Sequence, residues 1–208
     1  MSKSQVTTAG VPQGSVLDPL FFLIFINDIA EHLLSITRIF ADDTSLAFTA
    51  SNISDIEGIL NHDLCVISDW SKQWLVDFNP NKTEAILFTL KKNIPNPSLV
   101  FNNTNVTFVS HHKHLGLTLS NDGKWHEHIS NIISSSSKVL GMMRKIKFTV
   151  NRKALNQIYI SFLRPILEYG SSVWDSCTNY EKDNLDKIQN EAARIVTGLT
   201  RSVSLRRL

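Results

Sequence analysis

The chain has 208 residues, of which 42% are hydrophobic and 19% charged. That excludes a disordered or fibrous chain and allows one domain, or two small ones, with a real core. The net charge of +2 hides an asymmetry: residues 1–137 hold 8 Lys+Arg against 13 Asp+Glu, and residues 138–208 hold 13 against 6.

The basic part reads either as a solvated helical face or as a surface that follows a polyanion. The apolar segment Leu17 to Ile36 is interrupted by Asp18, Asp28, Glu31 and His32. It is too polar for a membrane span and too charged for a signal-peptide core. The expectation is an intracellular protein of the nucleus or cytoplasm, with no membrane partner. Cys65 and Cys177 are far apart and lack metal-ligand spacing, so both are expected as free, buried thiols.

In chain order, Gln5 to Thr8 reads as a short extended piece, and the Gly, Pro and Gly of "GVPQGS" (Gly10 to Ser15) mark a turn. Val16 to about Leu34 fits a largely buried helix, with Pro19 in its first turn. A strand–turn–strand follows over "RIFADDTSLAF", Arg38 to Phe48. "SDIE" (Ser54 to Glu57) has capping-box spacing ahead of a helix to about Trp74. Thr83 to Leu90, Leu99 to Phe101, Val106 to Val109 and His114 to Leu119 read as strands. After Trp125 the period changes to helical: one helix through Met143, a second over Arg152 to Leu163, and a third over Glu181 to Thr197. The fold class is α+β, with a division near residues 122–125 between a mixed part and a helical, basic part.

Asp42 and Asp43 stand side by side at the hairpin tip. Two unit charges about 4 Å apart repel by roughly 1 kcal/mol in water and about 4 kcal/mol at an effective dielectric of 20. A protein relieves this by exposing the loop, protonating one Asp or binding a cation. A surface turn is the ordinary reading of two adjacent Asp residues. Ile39, Phe40 and Ala41 before them, with Leu46 and Phe48 after, would bury the hairpin and leave the charges at the edge of a core. Hard cations such as Mg²⁺ take carboxylate oxygens and leave positions open for phosphates.

"GVPQGSVLDPLFFLIFINDI" followed by "FADD" resembles the reverse transcriptase of non-LTR, LINE-like retrotransposons of the Jockey type. The resemblance continues through "FNPNKTEAILF" (Phe78 to Phe88), "HKHLGLTLSNDGKWHEHI" (His112 to Ile129), "LRPILEYGSSVWD" (Leu163 to Asp175) and "LDKIQNEAARIVTGLTRSVSL" (Leu185 to Leu205). It implies a right-hand polymerase: a partial palm, an antiparallel sheet with helices, over residues 1–122, and an all-helical, thumb-like region over 123–208. It further implies two-metal nucleotidyl transfer onto a primer 3′-hydroxyl, with two Mg²⁺ ions, or Mn²⁺ in their place. The implied partners are an RNA template, a DNA primer or duplex, and dNTPs. Asp42 would be a direct metal ligand and Asp43 its supporting neighbour. Pro12, Gln13 and Gly14 would lie beside the incoming nucleotide and template. Phe40 stands where many relatives have tyrosine, Lys82 near the triphosphate, and His114, Leu115 and Gly116 at the turn that positions the primer end.

Two departures bear on that reading. Asp18 stands where relatives commonly carry glycine, and a carboxylate is well tolerated at a helix start. The family also uses a further aspartate well upstream of "GVPQGS", whereas only nine residues precede Gly10 and none is acidic. The expectation is a fragment that begins partway through a polymerase, its N-terminal part a candidate partner. The alternative is an inactive remnant that only binds duplex nucleic acid. The histidines of "HHKH" and "HEH" read as surface groups or local hydrogen-bonders, since no cysteine or further acid completes a zinc set. No phosphate loop or nucleophile elbow anchors an NTPase or hydrolase reading.

Overall fold

A computed structural model describes residues 16–91 and 93–199. The expected pieces at Gln5 to Thr8 and Gly10 to Ser15, with Pro12, Gln13 and Gly14, lie outside the described residues. The described chain is α+β and divides into two units, residues 16–85 with 93–108, and residues 86–91 with 109–199.

The first unit opens with helix α1, Asp18–Ile26, and one 3₁₀ turn, Asn27–Ala30. The chain then leaves helical space, with His32 left-handed at φ 67°. The helix is therefore shorter than its apolar run. It is also less buried than expected. Every residue from Leu20 to Ile26 is apolar, and a helix can turn only one stripe toward a core. Phe22 and Ile26 pack inward, with Ile29 of the 3₁₀ turn beyond them, whereas Leu20, Phe21, Leu23 and Ile24 stay exposed.

Strands β1 (Ile36–Phe40) and β2 (Asp43–Ala47) pair antiparallel, from Ile36 opposite Ala47 to Phe40 opposite Asp43. Helix α2, Ile53–Trp74, buries Leu64, Ile67 and Trp70 on one stripe. Its N-cap is Asn52, and the expected capping box does not form. Glu57 instead accepts the Ser98 N–H at 3.0 Å, tying the helix to the chain 41 residues further on.

The expected strand at Thr83 to Leu90 contracts to β3, Glu84–Ala85, which pairs parallel with β6, Thr107–Phe108. The ladder ends with Ala85 opposite Phe108, and from Ile86 the chain belongs to the other unit. Between them β4 (Val100–Phe101) and β5 (Thr104–Asn105) form a hairpin. Its turn residues, Asn102 and Asn103, have φ 47° and 61°, the left-handed pair that a two-residue turn demands and asparagine tolerates. The core of this unit gathers Ile26, Ile29, Leu64, Ile67, Trp70 and Phe101.

In the second unit, the single strand expected at His114 to Leu119 is a hairpin. Strands β7 (His111–His114) and β8 (Leu117–Ser120) meet at a two-residue turn, Leu115–Gly116. Helix α3, His126–Ile146, carries the serine run through its length. Only Ser136 falls on the inward stripe with Ile129, Ile132, Leu140 and Met143.

The helix expected over Arg152 to Leu163 is split into α4 (Arg152–Ile158) and a π turn (Tyr159–Leu163), followed by α5 (Arg164–Glu168). Pro165, near the start of α5, has no N–H to offer the preceding turn, and the Arg164 N–H reaches back to the Tyr159 carbonyl. Helices α6 (Ser171–Trp174) and α7 (Asn179–Thr197) complete the unit. Thr178 and Glu181 form a reciprocal capping box at the start of α7. Helices α3 and α7 enclose a core that includes Leu163, Trp174, Ile188 and Ala192. Cys177 is buried beside it as expected, but Cys65 is exposed, because its place on α2 faces away from the stripe. Across the described residues the strands make four separate two-stranded pairs, and no helix is long and apolar enough to cross a membrane.

Candidate active site

The β1–β2 hairpin is anchored by one face and displays the other. Side chains alternate across a strand, so Ile39 and Leu46 point to the core, while Phe40 and its ladder partner Asp43 share the outer face. Phe40 is accordingly 64% exposed, where burial was expected, and Ala41 is exposed too.

Ala41 and Asp42 form the two-residue turn, with Ala41 at φ 50°. A left-handed non-glycine residue costs about 1–2 kcal/mol, and alanine is the smallest side chain that can bear it. Asp42 and Asp43 are both exposed. The tip thus offers two adjacent carboxyl groups on a short hairpin.

The support comes from a residue that the sequence reading missed. Asp63 of α2 is fully buried. It accepts the Leu34 N–H at 3.0 Å and the Ser35 N–H at 2.8 Å, just ahead of β1. His62 Nδ1 lies 2.9 Å from its Oδ1. Burial alone would raise its carboxyl, but the hydrogen bonds from Leu34, Ser35 and His62 overcome that and hold it below the ordinary value.

Lys82 ends a 3₁₀ turn, Pro80–Lys82, whose cap is the Asn79 side chain accepting the Asn81 N–H. It is exposed, on the same unit as the carboxylates. Among the described residues, no group of three or more His, Cys, Asp or Glu is placed to hold a metal ion. The donor chemistry of Asp42 and Asp43 still fits Mg²⁺, which binds through one or two carboxylates plus phosphate oxygens and water.

His114, Leu115 and Gly116 belong to the second unit, where His114 ends β7 opposite Leu117 and the other two form the β7–β8 turn. Leu115 and Gly116 have φ 46° and 83°. Tyr169 clamps this turn: its hydroxyl donates to the Leu115 carbonyl at 2.7 Å. A Cβ on Gly116 would lie 2.9 Å from the Tyr169 ring. Gly170, left-handed at φ 63°, fits closely against Leu117. The "HLG" and "LEYG" stretches, 54 residues apart at this contact, fold onto each other.

The neighbouring histidines have local roles. His112 and His114 stack at 6.3 Å on one face of β7, and His111 Nδ1 is 2.9 Å from the Ser110 hydroxyl. His126 Nδ1 meets the Glu181 carboxylate, which also accepts the Thr178 hydroxyl and N–H at 2.7 Å each. His128 is 4% exposed, between Trp125 and Trp174 at 5.8 and 6.3 Å. Its Nδ1 accepts the Thr118 N–H at 3.3 Å, and burial lowers its basicity.

Residues 2–143 match the family described as reverse transcriptase (RNA-dependent DNA polymerase). The chain belongs to the reverse transcriptase family. Among its relatives, it is 27% identical over 208 residues to the "Probable RNA-directed DNA polymerase from transposon BS" of Drosophila melanogaster, covering 93% of this chain and 23% of the relative. It is 28% identical over 206 residues to the RNA-directed DNA polymerase from mobile element jockey of the same organism, covering 91% of this chain and 22% of the relative.

Both relatives are named as polymerases of mobile elements, one of them jockey, the type that the motif series resembles. The chain spans less than a quarter of their length. No solved structure matches it.

Proposed function

We propose that this chain is the palm and thumb-like part of a retrotransposon's RNA-directed DNA polymerase, with the palm over 1–122 and the thumb-like region over 123–208. The reaction would join a primer 3′-hydroxyl to the α-phosphate of a dNTP and release pyrophosphate. One observation carries this reading: Asp42 and Asp43 are displayed together at an exposed hairpin tip whose base is fixed by the buried Asp63.

Asp42 and Asp43 are the residues that would hold Mg²⁺, or Mn²⁺ in its place. Such ions stabilise charge on the attacking and leaving oxygens of an in-line displacement. The protein's own contribution is placement. The hairpin brings the two carboxylates to one exposed tip, next to each other in the chain. Phe40, on the same outer face as Asp43, offers a flat apolar surface to a nucleotide sugar or base. Lys82, compact and cationic, suits the triphosphate and can give a proton to the departing pyrophosphate. Pro12, Gln13 and Gly14 take the template and incoming nucleotide in this reading, and the His114–Gly116 turn positions the primer end.

A second reading, an inactive remnant that binds duplex without extending a primer, is favoured by the basic character of residues 138–208, with 13 Lys+Arg against 6 Asp+Glu. Primer extension on oligo(dT)–poly(rA) with Mg²⁺ separates the two. Extension that disappears in Asp42→Ala and in Asp43→Ala supports the polymerase. Absent extension with salt-sensitive duplex binding retained supports the remnant.

A further inference from the structure

The stretch 128–167 contains seven Lys or Arg and no Asp or Glu. Two of the seven are neutralised from elsewhere: Arg144 by Glu191 and Arg164 by Glu168. Lys145, Lys147, Arg152 and Lys153 are exposed, and among the described residues no carboxylate pairs with them. They cluster around the turn between α3 and α4, in whose centre Phe148 is 87% exposed.

The turn is firmly built. The Ile146 carbonyl accepts both the Thr149 and Val150 N–H groups, at 2.9 and 3.1 Å. The Asn151 side chain caps α4 by accepting the Ala154 N–H at 2.8 Å. Lys147 Nζ sits 4.7 Å from the Phe148 ring centre, so one cation is already paired with the aromatic surface.

A lone exposed phenyl ring is ordinary. A ring held out by a fixed turn, with one lysine over it and three further cations that no carboxylate neutralises within five residues of it in the chain, has the two elements that single-stranded nucleic acid needs: charge along the backbone and a plane for a base. A base within a duplex has both faces covered by its neighbours, so only an unpaired base can stack on such a ring.

We propose that the α3–α4 turn is a contact site for single-stranded RNA, in which Phe148 stacks on an unpaired base and Lys145, Lys147, Arg152 and Lys153 hold the flanking phosphates. The choice of RNA over an anionic bilayer, which also suits cations beside an aromatic ring, rests on the polymerase reading above.

The test is fluorescence anisotropy with the full 208-residue chain, using a labelled single-stranded RNA and a blunt RNA–DNA duplex, beside sedimentation with phosphatidylserine vesicles. Phe148→Ala should weaken single-strand binding about tenfold and leave duplex binding and the melting temperature unchanged. Phe148→Trp should retain the affinity, and Phe148→Leu should behave as the alanine variant. Lys147→Gln and Lys153→Gln should each lower the salt slope by about 0.7.

The inference is overturned if Phe148→Ala leaves single-strand affinity intact, if it weakens duplex equally, or if the chain binds vesicles and not RNA. Phe148-dependent RNA binding in a chain that extends no primer would leave this inference standing while the polymerase reading fell. Asp42-dependent extension with RNA binding indifferent to Phe148 would do the reverse.

Discussion

His128 shows how much one residue's setting matters. Its Nδ1 accepts a backbone hydrogen bond from Thr118, so the proton of the neutral ring sits on Nε2, a buried atom with no hydrogen-bond partner among the described residues. Charging the ring would put a proton on Nδ1, against the Thr118 N–H, inside a tryptophan-lined space. Burial therefore depresses its folded pKa below the ordinary 6.5. The unfolded chain then binds the proton more readily. Stability of the second unit should be full above about pH 6.5 and decline as pH falls from there toward the depressed folded value. A melting-temperature series from pH 8 to 5 should show that decline, and His128→Gln should flatten it.

Gly116 is a residue-scale case of another kind, set by backbone rather than charge. At φ 83°, and with the Tyr169 ring 2.9 Å from any added Cβ, alanine there is strained twice over. Gly116→Ala should destabilise the unit by roughly 2 kcal/mol. Tyr169→Phe, which removes only the bond to the Leu115 carbonyl, should cost about 1 kcal/mol or less. Denaturant midpoints of the two variants would rank them, and a costlier Tyr169→Phe would show that the hydroxyl rather than the turn geometry dominates.

At the scale of elements, the β1–β2 hairpin depends on α2. Asp63 closes the two N–H groups that precede β1, and it does so without exposure to water. Asp63→Ala leaves those donors unsatisfied and should cost about 3 kcal/mol, with faster hydrogen exchange in Ile36–Phe40. Slow exchange there in the variant would show that the hairpin stands by itself. Because the Asp63 carboxyl is held below its ordinary value of 3.8, its contribution is present above that pH and lost as pH falls through the folded value. Glu181 at the start of α7 works in the same direction. Burial opposes its charge, while the Thr178 hydroxyl and N–H and the His126 ring outweigh it, so the capping box also weakens in acid.

On the whole-molecule scale, two separate cores serve two units. The first sets Trp70 and Phe101 among aliphatics, with Phe78 meeting Phe101 edge-on at 6.1 Å. The second is built on α3 and α7 and has Met143 at its fully buried centre. Met143→Ala should destabilise the second unit by about 2–5 kcal/mol. Amide exchange should accelerate across α3 and α7 and stay unchanged in α2. Equal acceleration in both units would mean that they unfold as one.

The long amphipathic helices α2, α3 and α7 were legible in the sequence, because a 3.6-residue apolar period over many residues has few other solutions. So was the tip bearing Asp42 and Asp43, since two apolar strands flanking a short polar turn specify a hairpin locally. The motif series carried the family, which depends on residue order rather than on packing. Thr178 and Glu181 also have capping-box spacing, a readable signal that only the fold showed to be used, while the same spacing at Ser54 and Glu57 was not.

What tertiary contact decided is of a different kind. Period and propensity cannot say which side of a uniformly apolar helix such as α1 meets a core, or whether Phe40 points in or out. They cannot say that Asp63 is a backbone acceptor rather than a surface charge. They cannot bring Tyr169 to Gly116 across 54 residues. Each of these depends on a partner distant in sequence, and the free energy of such a contact is absent from any local pattern until the chain has closed the loop between them.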